Sequence, residues 1–412
     1  MLLIYSLIYI GVILVGGWLV VASMMFNSMW VDRTLDDRIG GWLSKQDYMV
    51  VQLFPPAENL RSMSEMENFY INLASIFRNI SPKDQFNDGK TLEAYSFEIH
   101  SRGGQVSFYV RLNRNYLPIL RSSLAAHYPG SDVVEVPDPF DTWPKSWEGQ
   151  AGPYTKMAGT DLAFGMSDLF PLKPWEEFQR EDNTPVTDPV STLITAFENI
   201  EAEDYAVLQY ILKPKFDMAI VKGWQQELKK TRDEFKGNSS VELGDAGEIK
   251  LLTRQEQAIL SAAEQKISGE NYHVKIRGVF FTAKAAPTRM LGLVMSYFKQ
   301  YASANQFIKP DASTKTTASA TDKTWGKFLD NFYWKREDEM REKMIYKNMV
   351  RRSFSGGSKP KYMNVKSLAA LFHFPSTMLI DQSLASRVAT GEGSEASAAL
   401  TGGTTAPRDL PT

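Results

Sequence analysis

The residues that come nearest to a catalytic motif are Asp88-Gly89-Lys90-Thr91, which end in the Gly-Lys-Thr of a phosphate-binding loop. A full loop of that kind needs another glycine five residues before Gly89, and Asp84 stands there. It also needs a strand before and a helix after, so that backbone N–H groups and a helix N-terminus cradle phosphate. The pattern here predicts a polar loop before and a strand after, hence a solvated turn. The four histidines, His100, His127, His273 and His373, stand singly, with no partner at metal-ligand spacing. Each is expected to serve a strand, helix end or turn. The chain has no Cys and no Gly-x-Ser-x-Gly elbow, so thiol chemistry is excluded and the serine-hydrolase turn is missing. Carboxylate pairs such as Glu176-Glu177 and Glu201/Glu203 lie in polar segments and predict solvated surface. No cofactor or metal site is expected.

A basic cluster remains: Lys335, Arg336, Arg341, Lys343, Lys347, Arg351, Arg352, Lys359 and Lys361. Glu337, Asp338, Glu339 and Glu342 offset its start, while its end is purely basic. The plain expectation is a solvated helix with i,i+4 pairs such as Glu339 with Lys343. The functional one is that Lys347, Arg351, Arg352, Lys359 and Lys361 meet a phosphate backbone or an anionic membrane face. Overall charge does not decide between them: 46 Lys plus Arg stand against 48 Asp plus Glu.

These residues must be held by elements that the sequence also outlines. Residues 47–137 read as β-α-β-β-α-β, the ferredoxin-like split βαβ. Tyr48–Phe54 forms a strand ended by Pro55-Pro56. Ser62 and Glu65 have capping-box spacing for a helix whose apolar stripe is Met66, Phe69, Tyr70, Leu73, Ile76 and Phe77. Tyr95, Phe97 and Ile99 then share a strand face, as do Val106, Phe108, Val110 and Leu112, with Arg102-Gly103-Gly104 as the turn. A helix with Leu117, Leu120 and Leu124 and a strand over Val133–Val136 complete the unit. Residues 138–155, proline-rich and aperiodic, read as a connector.

A second α+β domain is expected over 156–310, with strands near 155–170, 205–212 and 272–282. Helices are expected near 215–236, 253–267 and from Pro287. It resembles a divergent copy of the first. Residues 311–323 read as a flexible loop and 324–380 as a helical segment. Residues 381–412, composed of Gly, Ser, Ala and Thr, read as a disordered tail because they offer too little apolar surface to offset ordering entropy.

At the other end, residues 1–26 contain no charged side chain. About 20 apolar residues at 1.5 Å each span a ~30 Å hydrocarbon core, so a transmembrane helix is expected, followed by a juxtamembrane linker over 27–46. A cleaved signal would want a basic start and a shorter apolar run. Arg33, Arg38 and Lys45 follow the run and no cation precedes it. The soluble part is thus expected on the cytoplasmic side of an inner membrane, with one pass.

Three stretches carry a family likeness. Tyr95-Ser-Phe-Glu-Ile-His100, Val106-Ser-Phe-Tyr-Val110 and His127-Tyr-Pro-Gly-Ser-Asp-Val133 resemble the membrane-proximal region of conjugative DNA-transfer, type IV secretion proteins of small-genome bacteria. Asn364–Pro375 is similar to that family's LNxxELAxLxHFP segment, which lies just before its motor domain. Ala406-Pro-Arg-Asp-Leu-Pro411 is similar to the junction that follows. In that family the anchored region precedes a P-loop ATPase, and no Walker motif occurs in this sequence. The resemblance therefore implies a non-enzymatic, membrane-tethered accessory module that docks a motor ATPase supplied in trans. The partners it implies are the bilayer, the ATPase or other secretion components, DNA, and a second copy of the chain. The alternatives are a membrane-bound scaffold unrelated to DNA transfer and an enzyme whose site assembles only in three dimensions.

Overall fold

The computed structural model describes residues 16–18, 23, 34–35, 37–56, 59, 61–75, 80–179, 188–214, 218–238, 240–242, 248–250, 252–284, 288–316 and 327–375. The expected transmembrane helix over 1–26 lies outside them except at 16–18 and 23, and the expected tail lies wholly outside. Among the described residues, no helix is long and apolar enough to cross a membrane. The chain is mixed α+β and divides into two units, Met1–Tyr48 with Phe77–Glu93, and Met49–Ile76 with Ala94–Thr412.

In the smaller unit, Arg38 donates to the Phe86 carbonyl at 2.6 Å and lies over the Phe86 ring. Phe86 belongs to a short helix, Pro82–Asp88, which starts at a Ser81 cap with proline in its first turn. The polar loop expected before Gly-Lys-Thr is therefore largely a helix. Gly89 ends it in the left-handed conformation (φ +68°), and a Cβ there would lie 2.2 Å from the Arg38 carbonyl oxygen.

The larger unit is built on one nine-stranded sheet. Its strands are β1 (Tyr48–Phe54), β2 (Tyr95–Arg102), β3 (Gln105–Asn113), β4 (Asp132–Val136), β5 (Lys156–Phe164), β6 (Asp204–Pro214), β9 (Asn271–Thr282), β10 (Ile308–Pro310) and β11 (Lys361–Asn364). A separate ribbon pairs β7 (Ser240–Glu242) with β8 (Glu248–Lys250). The sheet order is β10-β5-β9-β6-β2-β3-β1-β4, with β11 beside β9. The helices are α1 (Met63–Ala74), α2 (the Pro82–Asp88 helix above), α3 (Leu117–His127), α4 (Pro189–Glu198), α5 (Met218–Asn238), α6 (Arg254–Ser268), α7 (Thr288–Lys299), α8 (Lys327–Val350) and α9 (Val365–Leu371).

Two runs in this order repeat. β1-α1-β2-β3-α3-β4 lies as β4-β1-β3-β2, and β5-α4-β6-β9-α7-β10 lies as β10-β5-β9-β6, so each has spatial order four-one-three-two. The repeats join through their second strands, β2 and β6, antiparallel from Tyr95↔Leu212 to Arg102↔Tyr205. The strands of the two expected α+β halves thus form one continuous sheet, and residues 138–155 link two stretches of that sheet rather than two separate cores. Between β2 and β3 the chain turns on Gly103-Gly104, whereas between β6 and β9 it inserts α5, the β7–β8 ribbon and α6.

Strand alternation sorts the side chains onto two faces. Phe97, Ile99, Phe108, Val110, Leu208, Tyr210, Tyr272 and Val274 meet the apolar stripes of α1, α3, α4, α7 and α9 in the main core. On the opposite face Met157, Tyr205, Val207, Val279 and Phe281 meet Phe140, Trp147, Ala151 and Tyr154 of the connector and Ile345, Tyr346 and Met349 of α8. The aperiodic connector is therefore packed, through its aromatic side chains. Two further expectations need correcting. Residues 311–316, read as flexible, hydrogen-bond along β5: Asp311 N–H donates to the Asp161 carbonyl, and Thr316 exchanges bonds with Gly159. The Ser/Thr composition suggested solvent, but those hydroxyls cap the β5 backbone. The segment 324–380, read as helical, also contains β11, which pairs with β9 where β5 has ended.

Candidate functional site

Beneath α8 and the loop that follows it, one row of side chains crosses the sheet. Cross-strand register aligns Glu98 with Gln209, Gln209 with Arg277, and Arg277 with Asp161. Side chains opposite one another on antiparallel strands share a face. All four are fully buried. Gln209 Nε2 donates to Glu98 Oε1 at 3.2 Å, and Arg277 Nε to Asp161 Oδ1 at 2.7 Å. The row is a polar rung through four strands, spanning the junction of the two repeats.

The rung grips the segment 348–358. Gln209 also donates to the Met349 carbonyl, and Arg277 to the carbonyls of Asn348, Ser353 and Gly356. Arg352 donates from Nε to Glu98 Oε1 at 2.8 Å and forms an ion pair with Asp138. At the far end Ser358 N–H donates to Asp161 Oδ2 at 2.8 Å. Gly357 (φ +89°) admits this approach, because a Cβ there would lie 2.1 Å from that oxygen. Arg352 itself has φ +49°. A side-chain-bearing residue in that region costs about 1–3 kcal/mol, which the guanidinium contacts offset.

Burial drives the Glu98 carboxyl upward, but the adjacent Arg352 guanidinium and the hydrogen bond from His100 outweigh it and hold the group well below the usual carboxylate range. His100 bridges Glu98 Oε2 (2.8 Å) and the Tyr205 hydroxyl (2.7 Å). Burial also raises Tyr205 well above its ordinary value. Lys275, two residues from Arg277 on the same face, donates to the Gly356 carbonyl, and burial lowers it to about 8 against the pull of Asp161. Chemically the strip matches Glu98 with Arg352 and Asp161 with Arg277, and it positions a loop.

Another buried lysine holds the insertion. Lys266 of α6 donates to the carbonyls of Asp168 and Tyr362 and lies over the rings of Trp224 and Phe164. Burial lowers it to about 7, with Asp168 acting in the other direction.

The expected basic cluster divides. Arg352 is buried in the strip, which corrects its expected contact with an anionic surface: its charge is already matched by two carboxylates. Lys361 is partly buried and pairs with Asp168 at 3.5 Å. Lys347, Arg351 and Lys359 are exposed, and Arg351 lies one helical turn beyond Lys347. The Glu339–Lys343 pair gives way to Lys343–Glu148, at 2.9 Å, and to Arg341–Glu337. Glu176 pairs with Lys366, and Glu203 with Lys284. His127 contacts Glu65 and Asn72, His273 stacks on Tyr362, and His373 contacts Asp188. Among the described residues, no group of three or more His, Cys, Asp or Glu side chains could hold a metal ion.

Sequence reasoning missed Glu98, Asp161, Gln209 and Arg277, and read His100 only as a residue serving a strand, helix end or turn. The available signal was the apolar run of β6 on both sides of Gln209, which is the mark of a strand covered on both faces.

The comparisons place this fold within a family. No curated protein matches the chain. The family model described as "Domain of unknown function (DUF8128)" matches residues 31–386, and the chain belongs to that family.

Proposed function

We propose that this chain is a membrane-tethered, non-catalytic accessory module of a conjugative DNA-transfer or type IV secretion apparatus, and that it docks a motor ATPase at the cytoplasmic face of the inner membrane. In this reading each repeat is a ferredoxin-like unit, and the second is a diverged copy of the first. The observation that carries it is the seat of Asn364–Pro375, the segment similar to the one before the motor domain in those proteins. Leu368 to Phe372 are fully buried. The Phe372 ring touches Phe97 and Phe108 of the first repeat and Tyr210 of the second. Tyr297 and Tyr301 donate to the carbonyls of Leu371 and Ala370, and Asn59 to those of Phe374 and Pro375. A segment gripped by both repeats would pass load between the body and a partner engaged beyond it. That favours a platform over a flexible tether.

The same reading gives Lys347, Arg351 and Lys359 an anionic partner, the phosphates of the bilayer or of DNA. Their neighbours Arg341, Lys343, Arg352, Lys361 and Lys366 are matched by carboxylates. Reversing the three charges together should weaken liposome or DNA binding, and unchanged binding would remove this part of the proposal. Detergent extraction followed by affinity purification tests the main reading, which expects a P-loop ATPase or other secretion component in the eluate. Recovery with neither, from a membrane fraction that contains both, would overturn it and favour a scaffold unrelated to DNA transfer.

A further inference from the structure

The loop after α8 commits its carbonyls to the sheet and leaves donors over. Gly356 accepts from Lys275 Nζ at 2.6 Å and from Arg277 Nη2 at 3.3 Å, and Ser353 accepts from Arg277 at 3.4 Å. In a trans peptide the next residue's N–H points the opposite way, and no cis bond occurs among the described residues. The Gly357 N–H is therefore turned away from Lys275 and Arg277. Gly357 is exposed, and its N–H meets no acceptor among the described residues. The Asn348 side chain lies against the same glycines. A Cβ on Gly357 would come 3.5 Å from Asn348 Nδ2, and one on Gly356 would collide with Asn348 Oδ1. Asn348 Nδ2 and Ser358 Oγ are buried with no hydrogen-bond partner among the described residues. Asn348 is 8% exposed and Ser358 4%. A buried polar group left in that state costs about 1–3 kcal/mol.

Charge around the glycines favours an anion. Lys347 precedes Asn348, Lys359 follows Ser358, and Arg351 lies one helical turn beyond Lys347; all three are exposed. The Asp161 carboxylate also borders Gly357, but it is engaged: Oδ1 accepts from Arg277 and Oδ2 from the Ser358 N–H. We propose that Gly357 N–H, Asn348 Nδ2 and Ser358 Oγ form a receptor for one phosphate group, with Lys347, Arg351 and Lys359 supplying the attraction. This rests on the anionic partner already given to those three cations, and it narrows that partner. Donors set behind two bare glycines admit a phosphate that stands off its carrier, as a phosphomonoester lipid headgroup or free phosphate does. The phosphodiesters of a DNA duplex lie within a continuous backbone and would meet the cations alone. Three donors also suit a tetrahedral oxyanion, which offers more oxygens than a carboxylate.

Nitrogen NMR of the glycine-labelled full-length chain, in neutral detergent, tests the receptor with inorganic phosphate against chloride at constant ionic strength. The Gly357 amide should shift saturably, while that of Gly149, on another exposed turn, stays still. Ser358→Ala keeps the backbone bond to Asp161 and should weaken the response about tenfold or more, the loss of one hydrogen bond to a charged group. Unmoved Gly159 and Gly278 amides, in β5 and β9, show that this variant is folded. A short-chain phosphatidic acid then separates the sources. Saturation at lower concentration than inorganic phosphate assigns the lipid headgroup, and equal or weaker binding assigns free phosphate. No Gly357 response to phosphate, a DNA duplex that moves Gly357 as strongly, or an undiminished response in Ser358→Ala would overturn the proposal. Binding lost on reversing the three charges but kept in Ser358→Ala would leave the anionic partner standing and remove the receptor.

Discussion

The two repeats have the same strand order but differ in how far the face away from the helices is covered. In the first, β3 alternates buried and half-buried positions, and the face away from the helices stays partly open at Ser107, Tyr109 and Arg111. In the second, β6 and β9 are buried almost throughout, because the connector, α8 and the 348–358 loop cover that face. The first repeat closes its central hairpin with two glycines. The second opens at the same place to admit α5 and α6. The comparison teaches that one sheet plan supplies a simple half and an elaborated half, and that buried charge collects where the elaboration covers the sheet.

The largest expected contrast comes from charge in the covered half. Arg277→Met leaves Asp161 buried and unmatched and should cost about 3–5 kcal/mol. Gln52→Thr on the open face of β1 should stay within about 0.5 kcal/mol. Urea denaturation of each variant measures both, and equal losses would break the comparison.

Next in size is a pH effect seated in the insertion. Lys266 is lowered from 10.5 to about 7 in the fold. Between those values the unfolded chain binds the extra proton, so stability should rise with pH across that window, by at most about 1.4 kcal/mol per pH unit from this group. Lys275, lowered to about 8, adds in the same direction over a narrower window. Lys266→Met should flatten the slope from about pH 7.5 to about pH 9.5 to that of Lys275. An unchanged slope in urea midpoints would place the effect elsewhere.

The Gly-Gly turn sharpens the contrast further. Gly149, with φ +86° and open space around it, should lose about 1–2 kcal/mol on conversion to Ala, from backbone strain alone. Gly104 has the same φ, but a Cβ there would lie 2.6 Å from the Glu198 carbonyl oxygen. Gly104→Ala should therefore cost more than Gly149→Ala in thermal unfolding. Thr253→Ala, which removes the capping box with Glu256, should cost about 1 kcal/mol. Faster amide exchange confined to α6 would be its signature.

How much of this was readable beforehand follows the same division. The first repeat could be read strand by strand, since one open face keeps the polar alternation that marks a strand, and Gly103-Gly104 marks the turn. In the second, β6 and β9 were recognisable as strands by their apolar runs, but the insertion separates them by more than fifty residues and hides the hairpin. Glu98 and His100 carried no sign of their role because nothing local tells a strand what will cover it. Arg352 looked like part of a basic surface because its two carboxylates lie 214 and 254 positions away in the chain. Short-range pattern carried the elements, and long-range pairing carried the strip.

The central claim is that the body is a platform holding a motor ATPase through the segment seated between the repeats. Site-specific photocrosslinking from exposed positions flanking that segment, in membranes that contain the native partners, tests it most directly. The account predicts a crosslinked adduct containing a P-loop ATPase, lost when Phe372→Ala unseats the segment while the sheet remains folded. Crosslinks to no ATPase in the native chain, or adducts indifferent to Phe372→Ala, would contradict it.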